Sequence, residues 1–207
     1  MLITFEGIEG CGKTTQINLL CNYLKDKGNV VVKTREPGGT ALGEALRKIL
    51  LQKNLEILPL SELLIFMAIR NQHVEEVIMP SLAEGKVVLC DRFVDATYAY
   101  QGYGRQMDPG IIATLNRLVT KGIRPNLTIL LDCDVETGLQ RKIRPDRQAD
   151  RFEKEEISFH EEIRRGYLEL AREDAKRFFI VNARQDVEFI HKIIREKVEK
   201  LVESHGV

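Results

Sequence analysis

Short apolar runs rich in β-branched residues recur along the chain at Leu2 to Phe5, Val30 to Thr34, Val87 to Cys90, Leu127 to Leu131 and Phe178 to Val181. Their length and composition suit strands. Helix-length stretches separate them, at Lys13 to Lys25, Thr40 to Leu51, Leu60 to Glu84, Pro109 to Lys121 and Phe152 to Lys176, and Val187 to Glu203 closes the chain. Strands alternating with helices predict a parallel sheet, and strands that are apolar throughout predict that both of its faces are covered. The expected class is a doubly wound, five-stranded parallel α/β fold flanked by helices, whose ligands gather beyond the carboxyl ends of the strands.

No repeat, low-complexity tract or Pro/Gly/Ser linker divides the sequence, so residues 1–207 are expected to form one domain. With 207 residues, 43% of them hydrophobic, the chain can bury about 70% of its surface without disulfides or a structural metal. The 31 basic and 31 acidic residues cancel. That balance argues against nucleic acid or an anionic membrane as a bulk electrostatic partner, so any anion must be met locally. Cys11, Cys21, Cys90 and Cys133 form no CxxC pair, and the first residues reach Glu6 and Gly7 too soon for a signal peptide or membrane span. A cytoplasmic protein is expected.

Directly after the first strand stands Gly7-Ile8-Glu9-Gly10-Cys11-Gly12-Lys13-Thr14, with the spacing G-x-x-x-x-G-K-[ST] at a strand-to-helix junction. Glycines let backbone N–H groups wrap a phosphate, Lys13 supplies a point charge to its outer oxygens, and the Thr14 hydroxyl can ligate Mg²⁺. Residues Gly7 to Thr14, together with Thr15, are therefore the candidate ATP-binding residues of a P-loop NTPase-type fold. An empty glycine-rich turn is the competing reading, and the order of strand, loop, lysine and helix speaks against it.

Kinases, GTPases, motors and ATPases share such a cradle, so other residues must separate them. Val87 to Asp91 is an apolar strand ending in an acid, the arrangement that holds Mg²⁺ in P-loop proteins, although an aspartate capping a loop looks the same. Arg92 follows at once. A cation beside a metal-binding acid serves a second anion next to the first nucleotide, which a simple ATPase does not need. No Asn-Lys-x-Asp guanine-reading segment occurs. A kinase with a phosphorylated acceptor is favoured.

Five blocks in order carry a closer resemblance: Phe5 to Gly10 with the P-loop, Arg35-Glu36-Pro37-Gly38-Gly39-Thr40, Asp91-Arg92-Phe93, Tyr98-Ala99-Tyr100-Gln101-Gly102, and Asp150-Arg151-Phe152-Glu153. Over nearly its whole length the sequence resembles the bacterial thymidylate (dTMP) kinases. That resemblance implies transfer of the γ-phosphoryl group of ATP to the 5′-phosphate of dTMP, with Mg²⁺, in a homodimer. It implies that Glu9, inside the loop, approaches the acceptor, and that Glu9, Lys13, Asp91, Arg92 and Arg151 form the catalytic set. It further implies that Phe66 stacks on thymine, Arg70 donates to a base oxygen, Arg92 and Arg35 hold the acceptor phosphate, Thr97 and Gln101 lie at the base edge, and Tyr100 presses on the sugar.

Phe66 and Arg70 are four residues apart and share a helix face, yet periodicity alone equally allows Phe66 to be plain core. Tyr98 and Tyr100 alternate, so only one can face a ligand. His73 reads as structural. The segment of about 141–151 carries Arg141, Lys142, Arg144, Arg147 and Arg151 around Pro145 and reads as a short basic lid. Arg151 is the first choice for the transferred group, joined by Arg144 or Arg147, and Arg141 is expected against adenine with backbone near Ala183. The Pro145-Asp146 pair departs from the family's lid spacing, which leaves the choice between those two arginines open. Another nucleoside monophosphate or deoxynucleoside kinase on the same scaffold is the rival enzyme; a regulatory ATP-binding module would need neither Glu9 nor Arg92.

Overall fold

The computed structural model describes residues 1–142 and 150–205. All five apolar runs are strands: β1 Leu2–Glu6, β2 Val31–Arg35, β3 Val87–Asp91, β4 Leu127–Asp132 and β5 Phe178–Asn182. They pair in parallel in the order β2-β3-β1-β4-β5. Strands β1, β3 and β4 are buried almost throughout, whereas the edge strands β2 and β5 alternate with exposed positions. Alternation within the central strands sends side chains to two cores. Ile3, Phe5, Val87 and Leu89 pack toward helices α1 (Lys13–Asp26), α8 (Ile157–Glu173) and α9 (Val187–His205), while Leu2, Val88 and Cys90 pack with Val74, Ile78 and Phe93 on the other face. Both faces are thus covered, which is why the strands need no polar stripe. Thr4 and Thr128, two of the buried polar positions, meet each other across β1 and β4 at 2.9 Å.

Two helices start on side-chain caps. Thr40 Oγ1 accepts from Gly43 N at the start of α2 (Ala41–Leu50), and Asp108 Oδ1 accepts from Ile111 N at the start of α6 (Pro109–Thr120). The single helix expected from Leu60 to Glu84 is divided. It runs as α3 (Pro59–His73), passes through a π-helical turn at Val74–Ile78, and resumes as α4 (Met79–Ala83). Pro80 supplies the reason: it has no N–H for the preceding turn, and the widened turn instead lets Met79 N bond Val74 O. The helix expected from Phe152 begins only at Ile157 because Asp150 Oδ1 takes the N–H groups of Phe152 and Glu153, each at 3.0 Å, and draws that stretch into a turn. After β3 the chain forms a short α5 (Val94–Thr97) that widens into a π-helix at Tyr98–Gly104, and α7 (Val135–Lys142) follows β4.

Register places the chemistry. Phe5 and Arg35 both pair with Asp91, so the ends of β1, β2 and β3 open onto one crevice.

Candidate active site

The P-loop leaves β1 with backbone that only glycine tolerates. Gly7 has φ 132°, and a Cβ there would meet Leu131 O at 2.4 Å; Gly10 has φ 70°, and a Cβ there would meet Gly138 O at 1.9 Å. The close approach of Gly138 ties the loop to α7. Lys13, buried at the first turn of α1, donates from Nζ to the carbonyls of Gly7 at 3.0 Å and Ile8 at 2.8 Å, so its charge lies across the mouth of the loop. Thr14 Oγ1 donates to Asp91 Oδ2 at 3.3 Å.

Arg92 stands beside this pair in a left-handed conformation, φ 69°. A bulky residue there costs on the order of 1 to 3 kcal/mol and needs its surroundings to hold it. Its backbone N donates to Phe5 O at 3.0 Å, Nη1 donates to Gly7 O and to the Tyr167 hydroxyl, and Nη2 donates to Glu9 Oε1 at 3.0 Å. Tyr100 also donates to Glu9 Oε1, at 2.5 Å, and the Arg92 guanidinium lies 4.9 Å over the Tyr100 ring. Burial pushes the Glu9 carboxyl up, but Arg92, with Lys13 and the Tyr100 hydroxyl, holds it well below its ordinary value. Its second oxygen faces His160 Nδ1 at 3.6 Å, and the ring nitrogens of this buried histidine have no hydrogen-bond partner among the described residues. Sequence reasoning missed His160, because a single histidine on an amphipathic helix carries no pattern.

Deeper in, Arg70 is 1% exposed. Its Nε donates to Glu36 Oε2 at 2.7 Å, Nη1 to Thr97 Oγ1 and Asn116 Oδ1, and Nη2 to Phe93 O. A guanidinium has five N–H donors, so four are occupied and one on Nη2 is left. His73 bonds Glu36 through Nδ1 and Thr34 through Nε2, a buried structural role. Phe66 is half-buried with its ring 6.2 Å from that of Phe152. Of the alternating tyrosines, Tyr100 lines the crevice with Thr97 and Gln101, whereas Tyr98 packs with Leu63 and Met67.

Three guanidiniums border the crevice from the end of β2, the residue after β3, and α2. Arg35 pairs with Glu44 at 2.7 Å, Arg92 is held as above, and Arg47, which no sequence motif marks, donates to Pro37 O at 2.7 Å. Burial first, then the charges of Arg35 and Arg92, hold Arg47 below its ordinary value against the opposing pull of Glu44 and Asp150. On α7, Arg141 Nη1 donates to Ala183 O at 3.0 Å. Arg151 lies apart: Nε donates to Leu50 O, Nη2 to the buried Glu62 at 2.5 Å, and the guanidinium covers the Phe152 ring. Arg144 and Arg147 lie outside the described residues.

Residues Glu9 to Thr15, Arg35, Arg47, Phe66, Arg70, Asp91, Arg92, Thr97, Tyr100, Gln101 and Arg141 together line a cavity of about 940 Å³. That is the upper range for small-molecule sites and spacious for one nucleotide. Gly7 and Ile8 contribute through their carbonyls, beneath it. Thr14 and Asp91 offer two hard oxygen donors, which fits Mg²⁺, an ion that takes few protein ligands and completes its shell with water and substrate phosphates. Among the described residues no group of three or more His, Cys, Asp or Glu side chains forms a metal cage, and no helix is long and apolar enough to cross a membrane.

The sequence profile of the family described as thymidylate kinase matches residues 5–194. The thymidylate kinase of Geotalea uraniireducens is 52% identical over 194 residues, covering 90% of each chain. That of Citrifermentans bemidjiense is 48% identical over a 210-residue alignment covering 99% of this chain and 93% of the other. In three dimensions the chain is similar to the crystal structure of thymidylate kinase from Ehrlichia chaffeensis, with TM-score 0.79, 37% identity, and coverage of 96% of this chain and 98% of that one.

Proposed function

The chain belongs to the thymidylate kinase family and converts dTMP and ATP to dTDP and ADP, and from that premise we propose how its residues divide the work. One observation carries the proposal: the P-loop and a cluster of three arginines face each other in a single cavity. Phosphoryl transfer asks little covalent chemistry of a protein, which has chiefly to hold two phosphates in line and neutralise the moving charge.

ATP lies on the amides of Gly7 to Thr15, with Lys13 at its outer phosphates and Arg141 beside the adenine. Thr14 and Asp91 would hold Mg²⁺, which would neutralise charge on the donor phosphates when bound. Arg92, Arg35 and Arg47 grip the acceptor phosphate, which as an anion needs no strong base to attack. Glu9, fastened by Arg92 and Tyr100, approaches the acceptor sugar, and Tyr100 crowds the place of a 2′-hydroxyl. Thymine lies on Phe66 with its edge toward Thr97, Gln101 and the remaining N–H of Arg70. Arg151 serves at the transferred phosphoryl only after leaving Glu62, so its catalytic role requires a rearrangement of the lid base.

A homodimer is supported by apolar side chains left about half exposed or more on the neighbouring helices α3 and α6: Leu60, Leu64, Ile111 and Leu118. Four buried, unpaired cysteines accord with a reducing cytoplasm. A coupled ADP-release assay over dTMP, dUMP, dCMP, AMP and thymidine tests the acceptor site. Thymidine, lacking the phosphate that the three arginines meet, is expected to be inert, and dUMP to trail dTMP only modestly because one methyl is worth about 1 to 3 kcal/mol. Preference for AMP or thymidine would overturn the assignment.

A further inference from the structure

Glu62, on α3, has no exposed surface and belongs to none of the roles assigned above. Its Oε1 accepts from Gln101 Nε2 at 2.8 Å, and its Oε2 faces Arg151 at 2.5 Å and Arg105 at 3.5 Å. An ion-paired carboxylate offers acceptors only, whereas an amide has one donor end and one acceptor end. Gln101 is 1% exposed and can meet Glu62 only with its NH₂ group, since the reverse orientation would set oxygen against oxygen in a dry site. Its Oε1, which makes no hydrogen bond among the described residues, is thereby turned toward the cavity that Gln101 lines.

We propose that Glu62 is a positioning residue that fixes the polarity of the Gln101 amide, so that the acceptor site presents an oxygen to the base edge and selects a base carrying a ring N–H there. This deepens the function proposed above and rests on it. Thymine and uracil have N–H at the third ring position and donate to that oxygen. Cytosine has a lone pair there, which would leave two acceptors face to face. A site built to hydrogen-bond one partner rejects its mismatch far more strongly than a change of shape alone would. Arg70 adds to the same discrimination, because its remaining N–H suits a base carbonyl and not an amino group. Its orientation is secured separately by Glu36, Thr97, Asn116 and Phe93.

The ion pairs explain why a carboxylate and not a second amide occupies this position. A neutral amide at residue 62 could turn either end toward Gln101, and the two would be free to reverse together. Arg105 and Arg151 remove that freedom, and Arg105 is in turn held by Glu155 at 2.5 Å. The lid base and the base-reading amide therefore share one carboxylate.

The test compares kcat/KM for dTMP and dCMP in three variants of the full chain. Glu62→Gln is expected to lower the dTMP to dCMP ratio by about tenfold, leaving the residual preference that Arg70 supplies. Because that variant leaves two guanidiniums facing a neutral group, the charge-balanced Glu62→Gln with Arg151→Met is measured beside it and should show the same fall. Arg151→Met alone keeps the carboxylate and should keep the wild-type ratio, whatever it does to the rate. Retention of the wild-type ratio in the charge-balanced variant would overturn the proposal while leaving the dTMP kinase reading intact. Loss of the ratio in Arg151→Met alone would overturn it too, by showing that packing and not polarity decides. A wild-type enzyme inactive on dTMP would instead refute the underlying functional reading.

Discussion

Lys13 and Arg151 show how differently two cations of the chain are held. The ammonium of Lys13 rests on two loop carbonyls, and no carboxylate is left unpaired by its removal. Lys13→Ala is therefore expected to lower kcat by roughly 10² to 10³-fold, as loss of one donor to developing charge does, with little change in melting temperature. Arg151 is paired with a fully buried carboxylate, so Arg151→Ala should lower both rate and stability, because a buried charge deprived of the nearer of its two partners is costly. Thermal melts beside single-turnover kinetics check both; a melting loss for Lys13→Ala as large as that for Arg151→Ala would contradict the distinction. Glu9 obeys the same physics. Its carboxylate is tolerated in a phosphate cradle because Arg92 and Tyr100 occupy one of its oxygens.

At the scale of elements, α3 uses two faces for two purposes. Its buried side carries Glu62, Leu63, Met67 and Arg70 toward the cavity and core, while Leu60 and Leu64 are exposed, as are Ile111 and Leu118 of the neighbouring α6. A two-fold interface counts every side chain twice, and burying one leucine contributes about 1.5 to 3 kcal/mol. For the proposed homodimer, Leu118→Asp, at a position 71% exposed in the single chain, is expected to halve the mass measured by light scattering and barely alter the melting of the protomer. An unchanged mass would count against this surface as the dimer interface. The π-helical stretch at Tyr98–Gly104 also shapes the site. Its wide turns bring Tyr100 and Gln101 to the cavity together, whereas a regular helix rotates such neighbours further apart.

For the whole molecule, zero net charge coexists with a cavity made for two polyanions. Lys13, Arg35, Arg47, Arg70 and Arg92 converge on that cavity, while a neighbouring acid is buried in the sheet. Glu6, at the end of β1, accepts from Phe93 N and from the Tyr167 hydroxyl. Burial, then the charge of Asp95, pushes its carboxyl up from 4.5 to about 8. Across that window the folded chain keeps a proton that the unfolded chain has released, so this contribution to stability is whole below the lower value and is lost as pH rises through the upper one. Urea midpoints measured from pH 5 to pH 9 should therefore decline more for the wild type than for Glu6→Gln. Parallel curves would show that Glu6 does not carry the effect.

What could be read directly from the residues was local. Five apolar runs, the glycine spacing at Gly7 to Thr14 and the acid that ends β3 each lie within a few consecutive positions, where periodicity, φ preferences and the missing Cβ of glycine act without help from the rest of the chain. The division at Pro80 and the turn at Asp150 were also local, but they depend on which of two competing hydrogen bonds wins, and periodicity does not register that contest. Tertiary structure alone decided that Arg47 joins Arg35 and Arg92, that His160 faces Glu9, and that Glu62 is shared by Gln101 and Arg151 across 39 and 89 positions of chain. In the sequence each is one polar residue on an amphipathic helix, indistinguishable from a solvated one. Burial and the identity of the partner are properties of pairs, and pairs exist only once the sheet has brought distant helices to the same crevice.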